Sequence, residues 1–181
     1  MDCHKIDACP NDCILFKNEF SNLSNCPKCG HERYKEGKNE SKRKQPQKVL
    51  RYFPLTPRLQ RLFISTKTAR WMTWHQDCKS QDGRIRHPTD SEEWKRFDER
   101  NNSFTLEARN VWLGLASDGF NSFKSMYSSY SIWPVVMVTY NLPPWLCMRS
   151  SFMMLTLLIP SPKQPGNAID VYLQPLIDEL K

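Results

Sequence analysis

The clearest pattern of hydrophobic and polar positions lies in residues 110–181. Three apolar runs rich in β-branched and aromatic residues are separated by turn-forming residues, a pattern typical of strands. The runs cover residues 111–118, 133–142 and 152–159. After them, leucines at helical spacing follow Asn167, a helix-capping residue type, although Pro175 fits a helix interior poorly. This region therefore predicts a three-stranded antiparallel meander followed by one helix.

Asp118 stands where the first of these runs ends. Because side chains alternate along a strand, Asp118 shares a face with the small residues Gly114 and Ala116. A carboxylate at the tip of a first strand is how a two-metal nuclease site begins, but such a site needs two or three carboxylates. Asp118-Gly119 is also a turn dipeptide. The residues alone leave two interpretations open, a metal ligand and a strand-ending turn residue.

Residues 49–109 predict a helical segment. Thr56 can cap a helix that starts at Pro57, and Asp90 with Glu93 fits a capping box for a later helix. Four basic residues fall outside the apolar stripe and suit contacts with DNA phosphates: Arg58, Arg61, Lys67 and Arg70. An ordinary amphipathic helix pair explains the same pattern equally well.

Residues 1–34 contain two closely spaced cysteine pairs. CPKCG is typical of a zinc knuckle, and CPNDC is a looser version of the same arrangement. The four thiols predict a closed structural zinc site with the ligands Cys9, Cys13, Cys26 and Cys29. Three other residues are alternative ligands: Cys3, His4 and His31. Free thiols in an unrelated loop are the competing interpretation.

Charge is unevenly distributed along the chain. The net charge is +7, but residues 33–70 hold twelve Lys or Arg against two Glu, a local +10 that leaves −3 for the rest. Such a segment favours a polyanion such as nucleic acid, with a solvated linker as the alternative. Within it, residues 35–48 contain no Val, Ile, Leu or aromatic residue, which predicts a disordered linker. Lys42, Arg43 and Lys44 fit DNA contact or a nuclear import signal.

Membrane insertion is not expected, because no apolar run approaches the roughly 18 residues that a transmembrane helix needs. The N-terminus also lacks the charged-then-apolar layout of a signal peptide. Seven cysteines without an export signal favour a reducing compartment, where metal binding is commoner than disulfide formation.

Longer stretches of the chain resemble the transposases of plant CACTA (En/Spm-type) DNA transposons. The resemblance covers nearly the whole chain and is carried by ACPNDCILF, CPKCG, KVLRYFPLTPRLQRLF, LGLASDGFNSF, WPVVMVTYNLPPWLCM and LLIPSPKQPGNAIDVYLQPLIDEL. It implies cut-and-paste transposition by an RNase H-like domain whose Asp/Asp/Glu triad holds two Mg²⁺ or Mn²⁺ ions. Asp118 matches the first Asp of that triad, although Ser122 stands where the family motif usually has Pro.

The resemblance and the residue patterns together predict an α+β protein. Its expected parts are a zinc module at 1–34, a basic disordered linker at 35–48, a helical segment at 49–109 and the start of an RNase H-like domain at 110–181. Because the second Asp and the Glu are missing, we expect a fragment that is inactive alone. The expected partner is DNA at transposon ends, the expected location is the nucleus, and an unpaired side of the meander would favour self-association. Two alternatives are a non-catalytic zinc-containing DNA-binding or interaction module, and a transposon remnant without function.

Overall fold

A computed structural model describes residues 2–36, 44–77, 82–120, 131–161 and 165–181. The helices and strands, in chain order, are β1 His4–Ala8, β2 Lys48–Tyr52, α1 Thr56–Ile64, α2 Thr66–Met72, α3 Trp74–Asp77, α4 Glu92–Arg100, α5 Asn102–Thr105, β3 Leu113–Ser117, β4 Ser131–Thr139, α6 Pro144–Cys147, β5 Met154–Ser161 and α7 Ile169–Leu180. The mixed α+β composition is confirmed. No helix in the described part of the chain is long and apolar enough to cross a membrane.

The five strands form one antiparallel sheet in the order β1-β2-β5-β4-β3. The expected meander is present as the neighbouring strands β3, β4 and β5, but the sheet continues beyond it. Strand β2 pairs with β5, with Tyr52 opposite Leu157, and β1 pairs with β2 along its whole length. The meander is therefore one part of a larger five-stranded sheet, in which β5 pairs with β2 on one side and β3 stands at the end of the strand order.

Strand β2 corrects the prediction of a helix from residue 49. Leu50 and Tyr52 are buried while Arg51 between them is exposed, which is the period of a strand. A run of five residues is too short for periodicity to separate strand from helix. Its pairing partners β1 and β5 lie far away in the sequence, so no local signal identifies it.

The expected linker is partly ordered. Lys35 donates its backbone N–H to the carbonyl of Gln45 at 2.9 Å, and Gln47 donates to the carbonyl of Arg33 at 2.9 Å. The two ends of the linker therefore pair with each other just before β2, which corrects the prediction of disorder for residues 44–48. Residues 37–43 lie outside the described part of the chain.

The helix starts differ from expectation in detail. Helix α1 begins at Thr56, one residue before the predicted start at Pro57. Helix α4 is capped by Ser91, whose hydroxyl accepts from the N–H of Trp94 at 3.2 Å, and not by Asp90. The Asp90 carboxylate instead accepts from the backbone N–H of His87 at 3.2 Å and completes a capping box one turn earlier.

Helix α7 starts at Ile169, so the predicted cap Asn167 lies in a preceding 3₁₀ turn. The helix passes through Pro175 without interruption. Pro175 is buried in the same helix as Tyr172 and Leu176. Proline inside a helix removes one backbone hydrogen bond. The burial of these side chains offsets that loss.

The chain forms two compact units. The first contains Met1–Leu55, Ser117–Val135 and Leu155–Lys181, and the second contains Thr56–Ala116 and Val136–Met154. Unit 1 holds the cysteine pairs and α7. Unit 2 has a core in which residues of α2, β4, α6 and the turn between β4 and α6 pack together: Met72, Val138, Leu142, Leu146 and Cys147.

The amide of Asn141 links three segments of unit 2. This residue has no exposed surface. Its Oδ1 accepts from the N–H of Trp112 at 2.7 Å. Its Nδ2 donates to the carbonyls of Met72 at 3.1 Å and Asn110 at 2.8 Å. One side chain therefore satisfies backbone groups at the end of α2 and in the segment before β3.

Replacing Asn141 with alanine should lower the free energy of unfolding by about 3 kcal/mol, because buried backbone groups lose their partners. Urea denaturation followed by circular dichroism measures the change. Asn102→Ala, an exposed asparagine in the same unit, is the matched control and should change stability by less than about 0.5 kcal/mol. Equal stability of the two variants would contradict the role given to Asn141.

Candidate metal centre and basic surfaces

The first cysteine pair lies in a tight loop directly after β1. Cys9 donates its N–H to the carbonyl of Ile14 at 3.0 Å, and Asp12 donates to the carbonyl of Cys9 at 3.0 Å. Asp12 has a φ of 62°, in the left-handed region that aspartate tolerates better than most residues. The turn brings Cys9 and Cys13 to the same side of the loop.

The second pair lies in a knuckle of the kind that CPKCG predicts. Cys26 donates its N–H to the carbonyl of His31 at 2.9 Å, and Gly30 donates to the carbonyl of Cys26 at 2.8 Å. Gly30 has a φ of 72°, which a glycine adopts without strain. This turn exposes Cys29 and keeps Cys26 buried.

The two loops bring the four predicted thiols together. The Sγ atoms of Cys9, Cys13, Cys26 and Cys29 all lie within 4.8 Å of one another, and Cys9 Sγ is 3.5 Å from Cys29 Sγ. Thiolates bound tetrahedrally at about 2.3 Å from an ion lie about 3.8 Å apart, so the group could bind a metal ion. The alternative ligands Cys3, His4 and His31 are not in this group, and the described residues contain no other group of this kind.

The thiols differ in acidity. Burial raises the pKa of Cys9, and burial together with the neighbouring thiols raises the pKa of Cys13 to about 12. A backbone hydrogen bond from His31 lowers the pKa of Cys29 to about 6. Four thiolates so close together repel one another, and a bound cation would offset that repulsion.

Asp12 connects the first cysteine loop to two distant segments of unit 1. Its carboxylate accepts a hydrogen bond from the hydroxyl of Tyr172 in α7 and forms an ion pair with Lys48 in β2. Lys48 Nζ also lies 5.4 Å from the centre of the Tyr172 ring. Tyr172 is fully buried, and burial raises the pKa of its hydroxyl. The pattern of the sequence did not reveal this contact, since its members are far apart in the chain.

Arg33 stabilises the loop between the two cysteine pairs. Its guanidinium pairs with Asp7 at 2.7 Å, donates to the carbonyl of Ser21 at 2.6 Å and lies 4.9 Å from the centre of the Phe16 ring. Arg33 and Lys48 therefore contribute to the basic segment by composition but are engaged within the protein.

The predicted DNA-contacting residues are distributed between the two units. In unit 2, three of them are exposed on α1 and α2: Arg61, Lys67 and Arg70. Arg58 is half-buried and has an interaction within the protein. Lys44, in unit 1, is exposed with its Nζ 5.5 Å from the centre of the Tyr34 ring. Lys42 and Arg43 lie outside the described residues.

Asp118 follows the last residue of β3 and is exposed. Its Oδ1 accepts from the N–H of Gly119 at 2.7 Å. A Cβ atom at Gly119 would lie 2.5 Å from the Trp133 ring, so only glycine fits there. Asp118 belongs to no group of three or more potential metal ligands among the described residues.

Comparison with known proteins identifies the class of this protein as transposases. The matched range begins ahead of α4 and includes β3, β4, β5 and α7. The chain belongs to the transposase family tnp2, whose model matches residues 82–181, more than half of the chain. No curated protein and no solved structure matches it. The cysteine cluster lies outside the matched range, and Asp118 lies within it.

Replacing the buried ligand candidate Cys26 with serine should abolish metal binding, because three thiolates no longer close the site. The wild-type chain should carry about one metal ion, measured by elemental mass spectrometry after purification without chelator. Bound Co²⁺, added as a spectroscopic probe, should give thiolate absorption bands. Cys3→Ser, at an exposed cysteine outside the cluster, is the control and should keep the metal. Metal retained by Cys26→Ser would contradict this assignment.

Proposed function

We propose that this protein serves in cut-and-paste DNA transposition of a plant CACTA (En/Spm-type) element, in the nucleus. The observation that carries the proposal is the family match over residues 82–181 with Asp118 at the end of β3. The neighbouring strands β3, β4 and β5, followed by α7, support an RNase H-like origin for this region. The resemblance of LGLASDGFNSF to the family motif supports Asp118 as the first Asp of the triad.

Asp118 fits one ligand position of a two-metal site, because its carboxylate is exposed at a strand end. In such a site, two Mg²⁺ or Mn²⁺ ions activate the attacking oxygen and stabilise charge on the phosphodiester. Asp118 would hold and orient one of them. Asp118 belongs to no group of three or more potential ligands among the described residues, so by this proposal cleavage requires further carboxylates from elsewhere in a complete enzyme. By this proposal residues 1–181 alone are a fragment that does not cut DNA.

Zinc is the metal that we assign to Cys9, Cys13, Cys26 and Cys29. Four thiolate ligands are typical of structural zinc sites, and they leave no coordination position open for a substrate. The ion would hold the two cysteine loops together and, through Asp12, support the contact with α7. Its role in this proposal is folding and not chemistry.

DNA contact is assigned to the exposed basic residues of α1 and α2, with Lys42, Arg43 and Lys44 as further contacts or as a nuclear import signal. Arg58 is the weakest member of the predicted set, because it is half-buried. A second candidate function follows from the single carboxylate: a non-catalytic zinc-containing DNA-binding or interaction module. It predicts the same zinc and DNA binding, and it gives Asp118 no role in DNA cleavage.

Asp118→Asn should reduce Mg²⁺-dependent cleavage of transposon-end DNA by at least about 100-fold in a complete transposase that contains these residues, because a metal ligand is lost. The assay measures nicked product on a gel. Asp170→Asn, at an exposed carboxylate in the first turn of α7, is the matched control and should cleave normally. Normal cleavage by Asp118→Asn would exclude the catalytic assignment. Cleavage by residues 1–181 alone would exclude the proposal that they are an inactive fragment.

Double substitution of Arg61→Gln and Arg70→Gln should weaken duplex DNA binding and lower the slope of log affinity against log salt by about 2, since two phosphate contacts are lost. Fluorescence anisotropy at several salt concentrations measures both. Arg96→Gln with Arg109→Gln removes the same charge from arginines that are paired with Glu93 and Glu107. This control should leave the slope unchanged. Equal slopes for the two doubles would contradict the assignment.

A further inference from the structure

Basic and aromatic side chains share one face of consecutive helices in unit 2. Four residues are spaced so that they line one stripe along α2 and into α3: Lys67, Arg70, Trp71 and Trp74. Lys67 Nζ lies 5.2 Å from the centre of the Trp71 ring. Lys67 and Arg70 are exposed, and the two tryptophans are half-buried. The stripe therefore presents two exposed charges beside two half-buried tryptophans.

Helix α6 extends this stripe. Its Trp145 ring meets Trp74 edge to face, with the ring centres 5.9 Å apart. The neighbouring residues Leu146 and Cys147 pack in the same core cluster as Met72 of α2, which fixes α6 beside that helix. On the outside, 58% of Trp145 and 64% of Met148 remain exposed.

Arg149 adds a third charge one turn after Trp145, and it is exposed. The surface formed by Lys67, Arg70, Trp74, Trp145 and Arg149 is here named the Trp145 surface. Trp145 and Met148 form an exposed apolar pair at α6, and the three exposed cations of this surface lie on α2 and directly after α6.

Acidic residues are scarce in the segments that build this surface. Residues 44–76 and 131–161 contain no Asp or Glu, and Asp77 at the end of α3 is the nearest carboxylate in sequence. The charge favours an anionic partner. Phosphate binding alone needs only Lys and Arg, whereas the exposed ring also offers a flat apolar face. An anion with free aromatic faces matches both features.

We propose that the Trp145 surface binds single-stranded DNA, with the Trp145 ring stacked on an unpaired base and Lys67, Arg70 and Arg149 facing the phosphates. Bases in a duplex hide their faces in the stack, whereas unpaired bases stack on aromatic side chains with little sequence preference. The inference rests on the proposed function in one respect, namely that the ligand of unit 2 is DNA.

The test compares Trp145→Ala with the wild-type chain on a labelled oligothymidine and on a duplex of equal length, by fluorescence anisotropy at one salt concentration. Trp145→Ala should lose at least about fivefold in affinity for the single strand, because one stacking contact is removed. It should change duplex affinity by less than about twofold. Trp145→Phe keeps a ring and should retain most of the affinity. Leu106→Ala, at a residue 87% exposed in the same unit, is the control and should bind both normally.

Arg149→Gln provides a second variant that does not disturb the ring. It should weaken single-strand binding and lower its salt slope by about 0.7. A 2-aminopurine base in the oligonucleotide should lose fluorescence on binding to wild type and not on binding to Trp145→Ala, which reports stacking directly.

The outcomes separate this inference from the proposed function. If wild type binds duplex DNA in a salt-dependent way but Trp145→Ala keeps full single-strand affinity, the inference is wrong and the proposed DNA binding stands. If Trp145→Ala instead abolishes self-association in sedimentation without changing DNA affinity, the surface is a protein interface and the inference is also wrong. If wild type binds neither the single strand nor the duplex, the DNA-binding part of the proposed function fails as well.

Discussion

The carboxylate of Asp12 connects the cysteine cluster to the rest of unit 1. It lies inside the loop that joins Cys9 and Cys13, and it is bonded to Lys48 of β2 and Tyr172 of α7. The side chain of Lys48 is 9% exposed and that of Asp12 is 21% exposed. Removing one partner of such a largely buried pair leaves an uncompensated charge and costs about 3–5 kcal/mol. The left-handed backbone at residue 12 therefore closes the turn between the two thiols and also positions the carboxylate.

This contact changes how the N-terminal residues are understood. An independent zinc finger would fold around its ion and leave the following domain unaffected. Here β1 and β2 belong to the same sheet as β5, and the first cysteine loop is bonded to the C-terminal helix. Part of the basic segment is engaged inside the fold, as Arg33 and Lys48 demonstrate. The charge available to a partner is accordingly smaller than the composition of residues 33–70 suggests.

Local signals account for what could be predicted from the sequence. CPKCG places two thiols within one turn. Thr56-Pro57 favours a helix start, because the fixed φ of proline suits the first turn of a helix. Strands β1 and β2 are short, and their identity depends on partners far away in the chain, so no local pattern separates them from a linker or a helix. The bond between Asp12 and Tyr172 and the buried amide of Asn141 are equally non-local. The cysteine group could be predicted, whereas its attachment to α7 could not.

The contacts on either side of Asp118 bear on its proposed role as a metal ligand. A turn residue in an open loop needs no fixed position, whereas a metal ligand needs a backbone that is held on both sides. Before Asp118, the hydroxyl of Ser117 donates to the carbonyl of Pro134 at 3.0 Å. After it, Phe120 and Ile132 exchange backbone hydrogen bonds of 3.0 and 2.9 Å. The carboxylate is thus exposed between two fixed contacts, as the ligand role proposed for Asp118 requires.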